Sequence, residues 1–279
     1  MMPRPPRPYQ TTNYAFPAAP LSYAQRLRTP DGASLATFVY GSLDKHAAPV
    51  LALHGNGGSH ATFAQVIERL FVAGLAVVAF DARAQGQSTR GTARLTYEQM
   101  AADAITVLDA LDVAKAHVLG HSDGGIEALL LARDHADRVA SIVAGGANLT
   151  PEGVVDEWDM EGSIASQRAW SEWLQSGDVA HGIDPSLLPS ANDAATAAEL
   201  LQLMLDEPHI DAASLATISC PSCVLVGEND CITRDETESI AAAIPHARLV
   251  TVPGVGHSLP RQAPDAVSLQ VLTNVLLSR

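Results

Sequence analysis

The chain has 279 residues, of which 47% are apolar and 17% charged, the composition of a globular protein long enough to bury a sizeable core. A formal net charge of −14, with Lys45 and Lys115 the only lysines, leaves no clustered basic residues to neutralise a phosphate backbone and argues against a nucleic-acid partner. No apolar run approaches the roughly 20 residues of a membrane-spanning helix, and the amino-terminal stretch has no apolar secretory core, so a cytoplasmic protein without a membrane partner is expected.

Residues 1–20 hold six prolines and read as an extended arm that cannot bury a core. Two runs, Leu21 to Arg28 and Ser34 to Tyr40, flank Pro30-Asp31-Gly32, which is hairpin chemistry and predicts an antiparallel edge. Beyond it, strands alternate with helical segments, the signature of a parallel sheet covered on both faces. Strands are predicted at Pro49 to Leu53, Leu75 to Phe80, His117 to Leu119, Val139 to Ala144, Cys223 to Val226 and Arg248 to Val252. Helices are predicted at Ala61 to Ala73, Thr96 to Leu111, after Ser122, and at Asp265 to Leu277.

The interval 148–218 breaks this rhythm. Thr150-Pro151 reads as an N-cap with proline at the first helical position, opening a helical stretch that carries Trp158, Trp170 and Trp173. A second helix is predicted from Ala194 to Leu205. The division expected is an arm (1–20), a core (21–147 and 219–279) and a helical cap (148–218) over the carboxyl ends of the strands. The tryptophans of that cap are candidates to line a substrate pocket. From Leu149 to Ser214 there are thirteen acidic residues against Arg168 alone. The three cysteines are too few for a disulfide framework, and Cys220-Pro221-Ser222-Cys223 lacks the second pair that a zinc site wants, so no metal is expected.

Gly120-His121-Ser122-Asp123-Gly124 joins an apolar strand to an apolar helix. Small residues two before and two after the serine permit a tight strand-to-helix turn that lifts the hydroxyl above the sheet. A serine hydroxyl needs a base, and the base needs a carboxylate to hold its tautomer. His257, in a glycine-rich loop at the end of the last strand, is the candidate base. Asp230, beyond the strand ending at Val226, is the candidate acid, with Glu228 as runner-up. Parallel strands bring these loops to one edge. The glycine-rich loop His54-Gly55-Asn56-Gly57-Gly58 is the candidate oxyanion hole, with the N–H of Asn56 as first donor, that of Gly57 as second choice, and that of Asp123 supplying the other.

With these residues in place, the chain resembles the α/β-hydrolase superfamily from about Leu21 to Arg279. The LHGNGG loop, the Phe80-to-Ser88 segment (similar to the family's DxRGxGxS), the elbow at Ser122, VGEND and GVGHS all occur in family order. Ala84 departs from the pattern, which usually has glycine there. The resemblance implies an α/β fold with a mostly parallel central sheet, and cofactor-free hydrolysis of esters or related acyl compounds. A serine at the elbow argues against dehalogenase and epoxide hydrolase chemistry; lactonase, carbon–carbon bond hydrolase and perhydrolase activities use the same residues. A small-molecule-binding protein on the same fold is the alternative of another class.

Overall fold

Continuous apolar runs such as Val50–Leu53 and Val77–Phe80 put apolar side chains on both faces of the sheet, so both must be buried, and the computed structural model of the chain shows how. It describes residues 15–155, 159–176 and 190–279. The strands are β1 (Leu21–Arg28), β2 (Ser34–Tyr40), β3 (Val50–Leu53), β4 (Val77–Phe80), β5 (Ala116–His121), β6 (Val139–Gly145), β7 (Ser222–Asn229) and β8 (Arg248–Gly256). They form one sheet in the order β1-β2-β4-β3-β5-β6-β7-β8. The hairpin β1–β2 and the β2–β4 pair are antiparallel, and every other pair is parallel.

Leu51 and Leu53 of β3 pack with Met100, Leu108 and Leu130 of α2 (Tyr97–Ala110) and α3 (Asp123–Asp134). Val50 and Ala52, one residue out of phase, face the other way. They pack with Ile67, Leu70 and Val271 of α1 (Ala64–Val72) and α8 (Pro264–Leu277). Each such fully buried aliphatic side chain contributes about 1.5–3 kcal/mol, so the alternation fixes the register of the helical layers. Thr96 caps α2 by accepting from the Gln99 N–H. Between β7 and β8 lies α6 (Arg234–Ala243), and α7 (Leu259–Gln262) precedes α8.

Between β6 and β7 the chain departs from the sequence expectation. Thr150-Pro151 opens only a 3-10 turn, Pro151–Gly153, and the Thr150 side chain makes no capping bond. The helix α4 starts later (Met160–Gln175), capped by the Asp159 carboxylate, which accepts from the Gly162 N–H. A second helix, α5 (Ala191–Asp206), is closed at its start by a capping box between Ser190 and Asp193. Trp158 and most of the proline-rich arm lie outside the described residues. The end of the arm runs along α1, where the Ala18 N–H donates to Glu68 Oε1. No helix among the described residues is long and apolar enough to cross a membrane.

The loop after β4 is held by buried charge. Arg83 is fully buried and makes two bonds to Asp103 of α2, Nε to Oδ2 at 2.6 Å and Nη2 to Oδ1 at 2.7 Å. Its Nη1 reaches Asp31 Oδ2 of the β1–β2 turn at 3.1 Å. Ala84 next to it sits at φ 67, the left-handed region that glycine adopts without strain, which accounts for glycine as the usual residue there.

Candidate active site

β3 and β5 are neighbours, but the chain leaves them in opposite directions, from β3 to β4 on one side and from β5 to β6 on the other. The crevice at the carboxyl ends of two such strands is where open α/β sheets bind ligands. The loop after β3 and the turn after β5 meet there.

Ser122 has φ 56 and ψ −121, a conformation that few non-glycine residues adopt. Three backbone bonds enforce it. Its N–H donates to Gly145 O at 2.7 Å, and its carbonyl accepts from the N–H groups of Gly125 and Ile126. The flanking glycines are a packing requirement, since a Cβ on Gly120 would stand 1.8 Å from Gly124 O and one on Gly124 2.0 Å from Leu53 O.

His257 Nε2 lies 2.9 Å from Ser122 Oγ, and His257 Nδ1 lies 2.6 Å from Asp230 Oδ1. Asp230 Oδ1 also accepts from the Ile232 N–H at 3.1 Å. Burial works against the Asp230 charge, but His257 and the backbone donors outweigh it and hold the carboxyl below its ordinary range. With a carboxylate on Nδ1, the neutral ring carries its proton there and presents a bare Nε2 to the serine hydroxyl. Burial likewise opposes charge on His257, and the Asp230 carboxylate overcomes it, raising the imidazole above its ordinary value. Glu228 is turned elsewhere and accepts from the Gly254 N–H at 2.7 Å.

His121, immediately before the serine, is a residue that the sequence reading passed over. Its Nε2 is 2.6 Å from His257 O, so it donates there and ties the His257 backbone to the elbow. Burial, and His257 beside it, push its pKa down to about 3, so the ring is neutral. Its context in the motif gives no signal of this contact, which depends on where the β8 loop folds back.

In the loop after β3, the His54 ring bridges Gly55 O and the Ala82 N–H. A Cβ on Gly55 would come within 2.7 Å of Ser122 Cβ, so this loop approaches the serine as closely as a backbone can. Asn56 Nδ2 donates to Asp123 Oδ2 at 3.1 Å and to Leu200 O of α5 at 3.0 Å. The Gly57 N–H is engaged by Gln85 Oε1 at 2.6 Å. The Asp123 carboxyl is buried, accepts from Tyr97 Oη at 3.0 Å, and is pushed up to about 6 by burial against the opposing pull of Tyr97 and Asn56.

The cavity over Ser122 and His257 is walled by Val154, Met160, Met204, Leu205 and Ile232, with the carboxylates of Asp123 and Glu207 and no lysine or arginine among its described lining residues. Trp170 and Trp173 do not line it. They pack edge to face, with ring centroids 5.2 Å apart, in a small cluster with Ala194 between α4 and α5. Their bulk closes the seam of the helical pair instead of facing substrate, a correction to the sequence expectation. Among the described residues, the one group of side chains placed to hold a metal ion is Asp230, Cys231 and His257.

A strand-turn-helix serine with a histidine–carboxylate pair at the carboxyl edge of a mostly parallel sheet defines a class, and comparison with known proteins agrees with it. The sequence profile of the alpha/beta hydrolase fold family matches residues 48–184. The chain belongs to the α/β-hydrolase superfamily. It is 45% identical over 95 residues to "Putative carbamate hydrolase RutD" of Caulobacter vibrioides, a match covering 34% of this chain and 35% of that protein. The chain thus spans about a third of the length of that relative. The protein of the same name from Caulobacter sp. strain K31 is 27% identical over 257 residues, covering 84% of this chain and 92% of its own. Among solved structures, a thermophilic esterase from Thermogutta terrifontis superposes with a TM-score of 0.70 at 25% identity, over 91% of this chain and 99% of that one.

Proposed function

We propose that the protein is a serine hydrolase that cleaves small, neutral, apolar carboxylic esters through an acyl-enzyme, with residues 148–218 acting as a cap over the site. The observation that carries this reading is the unbroken relay from Ser122 Oγ through His257 to Asp230. Ser122 Oγ attacks the ester carbonyl while His257 Nε2 takes its proton. Asp230 holds the Nδ1–H tautomer and stabilises the imidazolium that forms. The backbone N–H groups of Asn56 and Asp123 face the developing oxyanion, the second of them at the positive end of α3. His257 then protonates the departing alcohol, and a water activated by the same nitrogen releases the acid. The relatives named as esterase and carbamate hydrolase support an acyl substrate, and the apolar cavity wall supports a neutral one.

The test is covalent labelling by a fluorophosphonate followed by turnover of a simple ester. Labelling should fall on Ser122, and Ser122→Ala should lose turnover by a factor on the order of 10⁴ to 10⁶ with an unchanged fold. A variant retaining a tenth of the activity would remove Ser122 as nucleophile. A protein that binds the ester but neither labels nor turns it over would be a ligand-binding member of the fold.

A further inference from the structure

We infer that Asp230, Cys231 and His257 form an inhibitory zinc site, in which one ion held by a carboxylate oxygen, a thiolate and the imidazole Nδ1 switches the base off. This rests on the reading of His257 as the base. One ligand atom from each side chain lies within 4.8 Å of the other two; the Asp230 side chain is itself buried, so an ion would reach it from the cavity past His257 and Cys231. Cys231 lines that cavity together with Ser122 and His257.

Nitrogen, sulfur and oxygen at one point are a donor set for a borderline-soft ion, and zinc takes them at about 2.0–2.3 Å in a tetrahedron completed by water. A tetrahedron with such bonds places its ligand atoms roughly 3.3–3.8 Å apart. The Asp230–His257 contact of 2.6 Å therefore opens slightly, and the thiol swings inward. One proton leaves the Cys231 thiol for solvent. A neutral imidazole moves its proton from Nδ1 to Nε2, and a charged one releases its Nδ1 proton to solvent and keeps the one on Nε2.

That shift is the inhibitory step. With Nδ1 on the metal and Nε2 protonated, the ring donates to Ser122 Oγ and has no lone pair to receive the serine proton. Cys231 gives this chain a third ligand beside an otherwise ordinary histidine–carboxylate pair.

Cobalt(II) reports thiolate ligation directly. Titrated into the full chain in chelator-cleared buffer, it should give a sulfur-to-metal charge-transfer band and four-coordinate visible absorption that saturate at one equivalent. Zinc should displace it. Zinc should also suppress ester turnover and fluorophosphonate labelling over the same concentration range, with recovery on adding chelator. Cys231→Ser should lose the band and need at least about tenfold more zinc to halve its own rate. Asp230→Asn should keep the band but bind more weakly. A missing thiolate band, or equal zinc sensitivity in the wild type and Cys231→Ser, would overturn the site. If Ser122 is not the nucleophile, labelling and turnover are absent with or without metal while the cobalt band still forms, so the two readings fail separately.

Discussion

The choice between Asp230 and Glu228 turns on two residues of chain, and the structure separates them by what each carboxylate touches. Asp230 bonds His257, whereas Glu228 holds the Gly254 N–H of the neighbouring loop. Asp230→Asn should cost a factor on the order of 10³ to 10⁴ in kcat by leaving His257 in the wrong tautomer, while Glu228→Gln should cost little. Steady-state rates of the two variants check this, and the reverse ranking would reassign the acid. The pH profile follows from the same contact. As the proposed base, His257 must be neutral to act, and Asp230 raises its pKa above the ordinary 6.5. The acid limb of kcat/KM should therefore lie on the alkaline side of that value, activity being lost as pH falls through it. In Asp230→Asn the limb should move down. A limb at or below the ordinary histidine value in the wild type would show that the carboxylate does not act on the free enzyme's base.

At the scale of elements, what could be read from sequence was whatever a short pattern dictates by itself. All eight described strands were legible, the central ones as compact apolar runs bounded by turn residues and the first two from the Pro30-Asp31-Gly32 turn between them. The adjacency of Ser122, His257 and Asp230 was legible too, since each follows a strand and parallel strands share a carboxyl edge. The second helix was legible as well, Ala194 to Leu205 against the observed Ala191–Asp206, but the start of α4 was not. Thr150-Pro151 satisfies the local rule for a helix start, yet the chain there is pinned by other bonds: the backbone of Leu149 and Thr150 donates to Glu236 of α6, and Val154 bridges to Ile232. Tryptophan in such a helical insertion is equally ambiguous, because a residue that seals two helices and one that meets a substrate look alike in composition. Ala84 shows the reverse case, a departure from pattern whose meaning needed the backbone angle. Replacing it with glycine should relieve left-handed strain that outweighs glycine's entropic cost, stabilising the fold by about 0.5–1 kcal/mol. Urea midpoints of the two proteins measure this; a less stable Ala84→Gly would mean that the loop gains more from alanine's restriction than it loses in strain.

For the whole molecule, charge is the distinguishing property, and it acts at two ranges. Exposed carboxylates such as Glu161, Glu172, Glu199 and Asp206 act through solvent and are screened within about 8–10 Å at ordinary ionic strength. Asp123 and Glu207 act from inside the cavity. A neutral ester should therefore have a higher kcat/KM than an anionic one of equal size, and salt should narrow the gap without closing it. Asp123→Asn should narrow the part that salt leaves. Matched substrates at low and high ionic strength decide this, and equal rates at low salt would place specificity in shape alone.

The buried contact of Arg83 with Asp31 and Asp103 has a consequence for how the protein meets acid. Burial already raises Asp103 above its ordinary carboxyl range, against the pull of Arg83. In Arg83→Met two carboxylates would face one another without a cation, a loss of about 3–5 kcal/mol near neutrality. Because the folded variant would then hold protons more tightly than its unfolded chain, this penalty is largest at neutral pH and shrinks as pH falls and the pair takes up protons. Urea melts of both proteins at about pH 7 and about pH 5 should show the gap closing on acidification. A gap independent of pH would mean that Arg83 contributes by packing alone. The variant's shortfall in stability would thus differ from one cellular compartment to another and would be smallest in the most acidic surroundings.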